Sequence, residues 1–181
     1  MPFYQISPIL QAKYQIDFAI NNSINPGTMT KFVKKDQVTS SWYEIDATNA
    51  VVGRLATVIS KIIRGKNKAT FTPNMDNGDF VVITNVEKLK FTGSKQTDKK
   101  YYRHTGWPGG IKERTPENFV ERNQPEEILK LAVKRMLPRG PLSKKQLTKL
   151  KIYKSEKHPH EAQKIVNIDF GKLNKKNIKT N

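Results

Sequence analysis

The chain has 181 residues, 33 Lys and Arg against 16 Asp and Glu, a net charge of +17, 36% hydrophobic residues and no cysteine. That length holds one ordinary domain with tails. The missing cysteines exclude a disulfide framework and a Cys-ligated metal centre, and no apolar run reaches the ~18 residues of a membrane span. Such an excess of positive charge calls for a polyanionic partner, either nucleic acid or an anionic membrane surface.

Residues 1–41 read as an N-terminal extension. They are rich in Asn, Gln, Ser and Ile, and residues 1–30 hold only Lys13 and Asp17 as charges. Asn21 through Gly27 is loop or linker chemistry. The segment contains no Arg, so it lacks the Arg-rich amphipathic pattern of an organelle presequence. Met29 offers an alternative start; otherwise the extension is retained and packs on a neighbouring protein.

From Trp42 the pattern becomes regular. Trp42 through Ala47 alternates as a strand does, and Thr48 or Asn49 can cap a following helix. Apolar residues at 51, 55, 58, 59 and 62 form one helical stripe over residues 50–64. Lys61 and Arg64 suit its C-terminal dipole, and Gly65 suits the position after it. Asp79 through Thr84 reads as a buried strand and Leu89 through Thr92 as another, so strand–helix–strand order implies a parallel βαβ unit. Residues 93–114 read as a long basic loop. Thr115-Pro116-Glu117 opens a short helix, and Pro125-Glu126-Glu127 opens a longer one ending near Leu137. After the Pro138-Arg139-Gly140-Pro141 break, Ser143 can cap a basic helix to Leu150. Lys151 through Tyr153 suits a last strand, and residues 158–181 read as an extended basic tail. The body is then residues 42–157.

Cations collect in three places. Arg64, Lys66, Asn67 and Lys68 form a turn whose long side chains can neutralise phosphates, with Arg54 nearby on the helix. Lys95, Lys99, Lys100, Tyr101, Tyr102, Arg103, His104 and Trp107 interleave cations with flat rings, as unstacked RNA requires. One tyrosine of the pair is expected to be an ordinary core residue. The paired Gly109-Gly110 lets backbone approach a phosphate closely. The third group runs through Lys134, Arg135, Arg139, Lys144, Lys145, Lys149, Lys151 and Lys154 with almost no acid among them. Gly53 is expected to let the helix pack closely. The phosphate-loop glycine patterns are absent.

Two other function classes compete. An enzyme, either a nucleotide-binding α/β protein or a nuclease, would use Asp76, Asp79 and His104; turn chemistry explains the aspartates as well. A membrane-surface protein would need a strongly basic amphipathic helix, and residues 50–64 carry too few cations for that.

In order and spacing the chain resembles the ribosomal protein L13 family (uL13, bacterial and organellar type). The resemblance is carried by Trp42 through Ala47, Gly53-Arg54-Leu55-Ala56, Arg64-Gly65-Lys66, Phe71-Thr72-Pro73, Lys100 through Gly106, Pro108-Gly109-Gly110, Met136 through Leu142 and His158 through Gln163. It implies a three-layer α/β/α domain with a small, mostly parallel sheet, no catalytic role and no cofactor. It implies binding to large-subunit rRNA and support of subunit assembly, beside neighbouring ribosomal proteins, with no membrane and no homo-oligomer; the lack of charge in residues 1–30 suggests that residues 1–41 meet those proteins rather than RNA. The three clusters, together with His158 and His160, then become rRNA contacts. The family's usual ends fall inside residues 1–41 and before the last 18 residues. With the alphaproteobacterial and mitochondrial flavour of Val133 through Met136, that favours a mitochondrial ribosome, with bacterial cytoplasm or a plastid as the alternative.

Overall fold

The computed structural model describes residues 33–179; the readings made on residues 1–32 and on the last two residues lie outside them. The unit that carries these residues begins at Lys35 with one 3-10 turn, Lys35–Gln37. Strand β1 (Trp42–Asp46), helix α1 (Val52–Arg64) and strand β2 (Phe80–Thr84) follow. The two strands pair in parallel, Trp42 opposite Phe80 and Asp46 opposite Thr84, so the expected βαβ unit is present. The full sheet is parallel in the order β5-β2-β1-β6, with β5 at Leu150–Ile152 and β6 at Ile165–Asn167. The protein is an α/β domain built on a small parallel sheet.

Alternation along the strands separates two faces. Tyr43, Ile45, Val81, Ile83, Leu150 and Ile152 join the core that α1 covers with Leu55, Ile59 and Ile63. Helix α4 (Pro125–Met136) packs behind α1 and adds Ile128, Leu129 and Val133. On the opposite face Trp42 stacks on Phe80, centroids 4.4 Å apart. His160 lies over that pair, 5.1 Å from the Trp42 ring.

The end of α1 is locked by backbone. Gly65 has φ +80°, its N–H donates to the Ile62 carbonyl at 2.9 Å, and that of Lys66 donates to Lys61 at 2.9 Å. This is the left-handed helix stop that Gly65 makes possible. Asn77 and Gly78 press onto the same end: a Cβ on Gly78 would fall 1.6 Å from the Ile63 carbonyl oxygen.

Several expectations are corrected. The start of α1 uses no side-chain cap. The Val51 N–H donates to the Asn177 carbonyl at 2.9 Å and that of Val52 to Lys90 at 3.2 Å. Backbone from two other segments therefore satisfies the donors, in place of Thr48 or Asn49. Thr48 instead bonds Asp46 Oδ1 through its N–H and hydroxyl, at 3.0 and 2.8 Å. Leu89 through Thr92 forms only one bridge, Val51 to Lys90. Gly53 is exposed, and a Cβ added to it would meet nothing within 4 Å, so it permits no close packing. Residues 93–114 are not a loop. They form helix α2 (Lys95–Asp98) and an antiparallel hairpin, β3 (Tyr101–His104) with β4 (Ile111–Arg114). Helices α3 (Pro116–Glu121) and α4 begin at the expected prolines, and Thr115 accepts from the Asn118 N–H at 3.4 Å. Helix α5 is Pro141–Leu147, with Gly140 rather than Ser143 at its cap.

The segment expected as a tail folds back. β6 pairs with β1, helix α6 (Phe170–Leu173) buries Phe170, and Ile178 bridges to Ala50. Asn177 is buried and its side chain donates to the Phe170 carbonyl at 2.9 Å. Charge dominates the composition of this segment, but a few apolar residues set its path.

Candidate nucleic-acid interface

The turn after α1 divides its cations. Lys66 and Asn67 are exposed, while Arg64 is half-buried with its guanidinium 5.4 Å from the Phe71 ring centre. Lys68 turns inward: its ammonium donates to Asp79 at 2.5 Å and to the Thr39 carbonyl at 2.8 Å. Asp79 is wholly buried and also accepts from the Ser41 N–H at 2.8 Å. Lys149 does likewise for Asp76 at 2.8 Å and the Gly78 carbonyl at 2.9 Å. A buried carboxylate demands such a partner, so Lys68 and Lys149 are internal ties.

The same bonds dismantle the acid–base site imagined for an enzyme. Asp76 and Asp79 are each held by a lysine. His104 stands on the hairpin, accepting from the Gly106 N–H at 2.9 Å, and lines a cavity to which neither aspartate contributes. Open parallel sheets bind nucleotides at the carboxyl ends of their strands. Here that crevice, about 460 Å³, is lined by Glu44, Asp46, Glu156 and Asp169. Four carboxylates repel the phosphates such a ligand carries.

The hairpin separates the two tyrosines. Tyr101 is buried, edge-on to Phe119 with centroids 5.5 Å apart, and flanked by Lys99 at 5.1 Å and Arg135 at 5.4 Å. Burial pushes its hydroxyl pKa up against the opposing pull of Arg135. Tyr101 is thus a packing residue, and Tyr102, 58% exposed, is the ring that faces solvent. Lys100 pairs with Glu113 across the hairpin at 2.8 Å. Trp107 caps the turn and is 77% exposed.

Two basic cavities meet at Arg135. One, about 530 Å³, is lined by Arg54, Lys95, Lys99 and Arg135 and by no acidic residue. Burial holds the Lys99 ammonium below its ordinary pKa, and the like charges of Arg135 and Lys95 add to this. The other, about 590 Å³, lies between hairpin and α4 and carries Arg103, His104, Lys112, Lys134 and Arg135, with Glu127 its only acid. Residues from the helix, the hairpin region and the third cation cluster thereby share one surface. Lys112 escapes the sequence reading because the hairpin reads as a loop, and Ile111-Lys112-Glu113-Arg114 carries no apolar alternation to mark a strand.

Other candidates stand apart. Lys66 and Asn67 lie at the far end of α1 from Arg54, about 15 Å along the axis. Arg139, Lys144 and Lys145 lie beyond α4, and Lys151 is half-buried on β5. Lys154 is tied to the Asn123 carbonyl at 2.6 Å. His158 faces Glu44 at 3.4 Å, and His160 shares a 2.8 Å hydrogen bond with the Tyr153 hydroxyl. Both histidines serve the sheet face. Gly109 holds a φ of +71° in the hairpin turn.

Residues 40–159 match the family model described as Ribosomal protein L13. The large ribosomal subunit protein uL13 of Allorhizobium ampelinum is 52% identical over 153 residues, 84% of this chain and 99% of that protein. Its counterpart from Agrobacterium fabrum is 51% identical over the same length. That of Neorickettsia sennetsu is 52% identical over 148 residues, 82% of this chain and 97% of that protein.

Proposed function

Since the chain belongs to the ribosomal protein L13 family, a family of structural, non-enzymatic proteins of the large ribosomal subunit, we propose that it works there by binding large-subunit rRNA and supporting subunit assembly. The observation that carries this reading is the gathering of cations from residues 54, 95–104, 112 and 134–135 around one pair of cavities. Counterion release from phosphates then supplies most of the affinity. The exposed Lys66 and Asn67 supply a second, separate contact.

We further propose the mitochondrial ribosome as its compartment, on the strength of the family resemblance and of the segment that precedes the matched region. The relatives named above are bacterial, which supports a bacterial ribosome equally. Residues 1–41 are proposed to meet neighbouring ribosomal proteins, because residues 1–30 hold Lys13 as their only cation. Sedimentation of whole-cell and organelle lysates tests the ribosomal assignment and the compartment. The protein is expected in large-subunit fractions, and in the organelle lysate if the compartment is right. Recovery only in light, RNA-free fractions would sink the ribosomal assignment.

A further inference from the structure

Binding to rRNA leaves open which form of RNA the hairpin face takes. Trp107 and Tyr102 are both largely exposed, on a hairpin whose turn has a fixed shape. Gly106 and Gly109 hold φ of +100° and +71°, and the Gly110 N–H donates to the Trp107 carbonyl at 2.9 Å. A Cβ on Gly110 would fall 2.0 Å from the Thr105 hydroxyl. The indole is therefore presented in advance, and among the described residues no aromatic ring stacks on it. Water is a poor partner for so large an apolar face.

Tyr102 and Thr105, in the run that leads to Trp107, line the larger of two cavities, about 590 and 530 Å³, that share Arg135. Each falls within the range of small-ligand sites, about 300–1,000 Å³. An A-form duplex keeps its bases stacked inside and presents phosphates on a stiff convex surface. It can neither lay a base on Trp107 nor push its backbone into a concave pocket. An unpaired strand can do both, because its bases splay and its backbone bends.

We infer that the hairpin face recognises an unpaired, looped stretch of RNA, with a base stacked on Trp107 and the backbone running past Arg135 through both cavities. This rests on the rRNA-binding reading above and narrows it. The strand's phosphates relieve the crowding of Lys95, Lys99 and Arg135 in the smaller cavity, which no carboxylate lines.

The full chain is titrated with a single-stranded RNA of about 12 nucleotides, within the span of known single-strand sites, and with the matching duplex, at the same salt. Trp42 is half-buried, stacked on Phe80, and is retained in Trp107→Ala, so the quench that this variant loses reports Trp107. The single strand is expected to quench tryptophan emission and to bind about tenfold tighter than the duplex. Trp107→Ala should lose the quench and about tenfold in single-strand affinity, while Trp107→Phe keeps most of that affinity. Arg135→Ala should weaken the single strand and lower its salt slope. Duplex binding equal to or tighter than single-strand binding, or Trp107→Ala behaving as wild type, overturns the inference. A parallel filter-binding assay on protein-free large-subunit rRNA separates the two levels. If rRNA still binds while the oligonucleotide results fail, only the loop inference falls. If rRNA does not bind either, the rRNA reading falls with it.

Discussion

The ammonium of Lys68 sits 2.5 Å from Oδ1 of Asp79, a residue with no exposed surface. Its near neighbour Lys66 is exposed. Two lysines two positions apart thus have opposite duties. Lys68→Ala leaves a buried carboxylate unpaired and should destabilise the fold by about 3 kcal/mol. Lys66→Ala should leave the melting temperature unchanged. Chemical denaturation of the two variants checks the contrast, and equal stability of both would refute it.

In the same turn, Arg64→Ala combined with Lys66→Ala removes two charges proposed to neutralise phosphate, one half-buried and one exposed. Between about 50 and 200 mM salt, the slope of log affinity for rRNA should flatten by about 1.5. A slope identical to wild type removes this turn from the interface.

Glycines at 78 and 53 make a second contrasting pair. An added Cβ at Gly78 meets the Ile63 carbonyl at 1.6 Å, and backbone cannot move aside as a side chain can. Gly78→Ala should cost about 3 kcal/mol or fail to fold. At Gly53 the added methyl meets nothing within 4 Å and lies in a helix. Gly53→Ala should stabilise by about 0.5–1 kcal/mol. Thermal melts read both.

Acid should loosen the sheet face covered by His160. Burial lowers the pKa of this histidine, and the nearby His158 and Lys151 lower it further. The unfolded chain therefore takes up the proton first as pH falls through the ordinary value near 6.5. Its contribution to stability is present above that pH and lost below it. The melting temperature between pH 8 and 5.5 should fall more steeply in wild type than in His160→Gln. Parallel curves would contradict this.

Phe170 is 3% exposed and joins the main core. Phe170→Ala should cost about 3–5 kcal/mol, and deletion from Asp169 onward at least as much, since it also removes the acceptor for the Val51 N–H. Full stability after the deletion would restore the reading of this segment as a tail.

Much of the body is legible in the sequence because its signals are local. The stripe of α1, the prolines opening α3 and α4, and Gly65 each act through neighbours in sequence. The hairpin is not. Its strands expose nearly every side chain, so no apolar alternation marks them. β6 is three residues long and half solvated, too short for a period to show. In the site, the cation clusters can be found from the sequence but not sorted. Whether a lysine meets phosphate or a buried aspartate depends on contacts such as Lys149 to Asp76, 73 residues apart. Only the presence of Asp79 at the head of an apolar strand hints that some cation has to turn inward.

Strand β1 lies between β2 and β6, and its partner residues in β6 come roughly 120 residues later in the chain. A ribosome adding about 5–20 residues per second needs roughly 6–25 seconds to cover that distance. Throughout that interval β1 presents a bare edge, a template for pairing with other nascent chains. The start of α1 lacks its Asn177 acceptor for the same time. The closing residues of this polypeptide are thus the latch that ends its most aggregation-prone period, and a chain released early is expected to be insoluble rather than merely shorter.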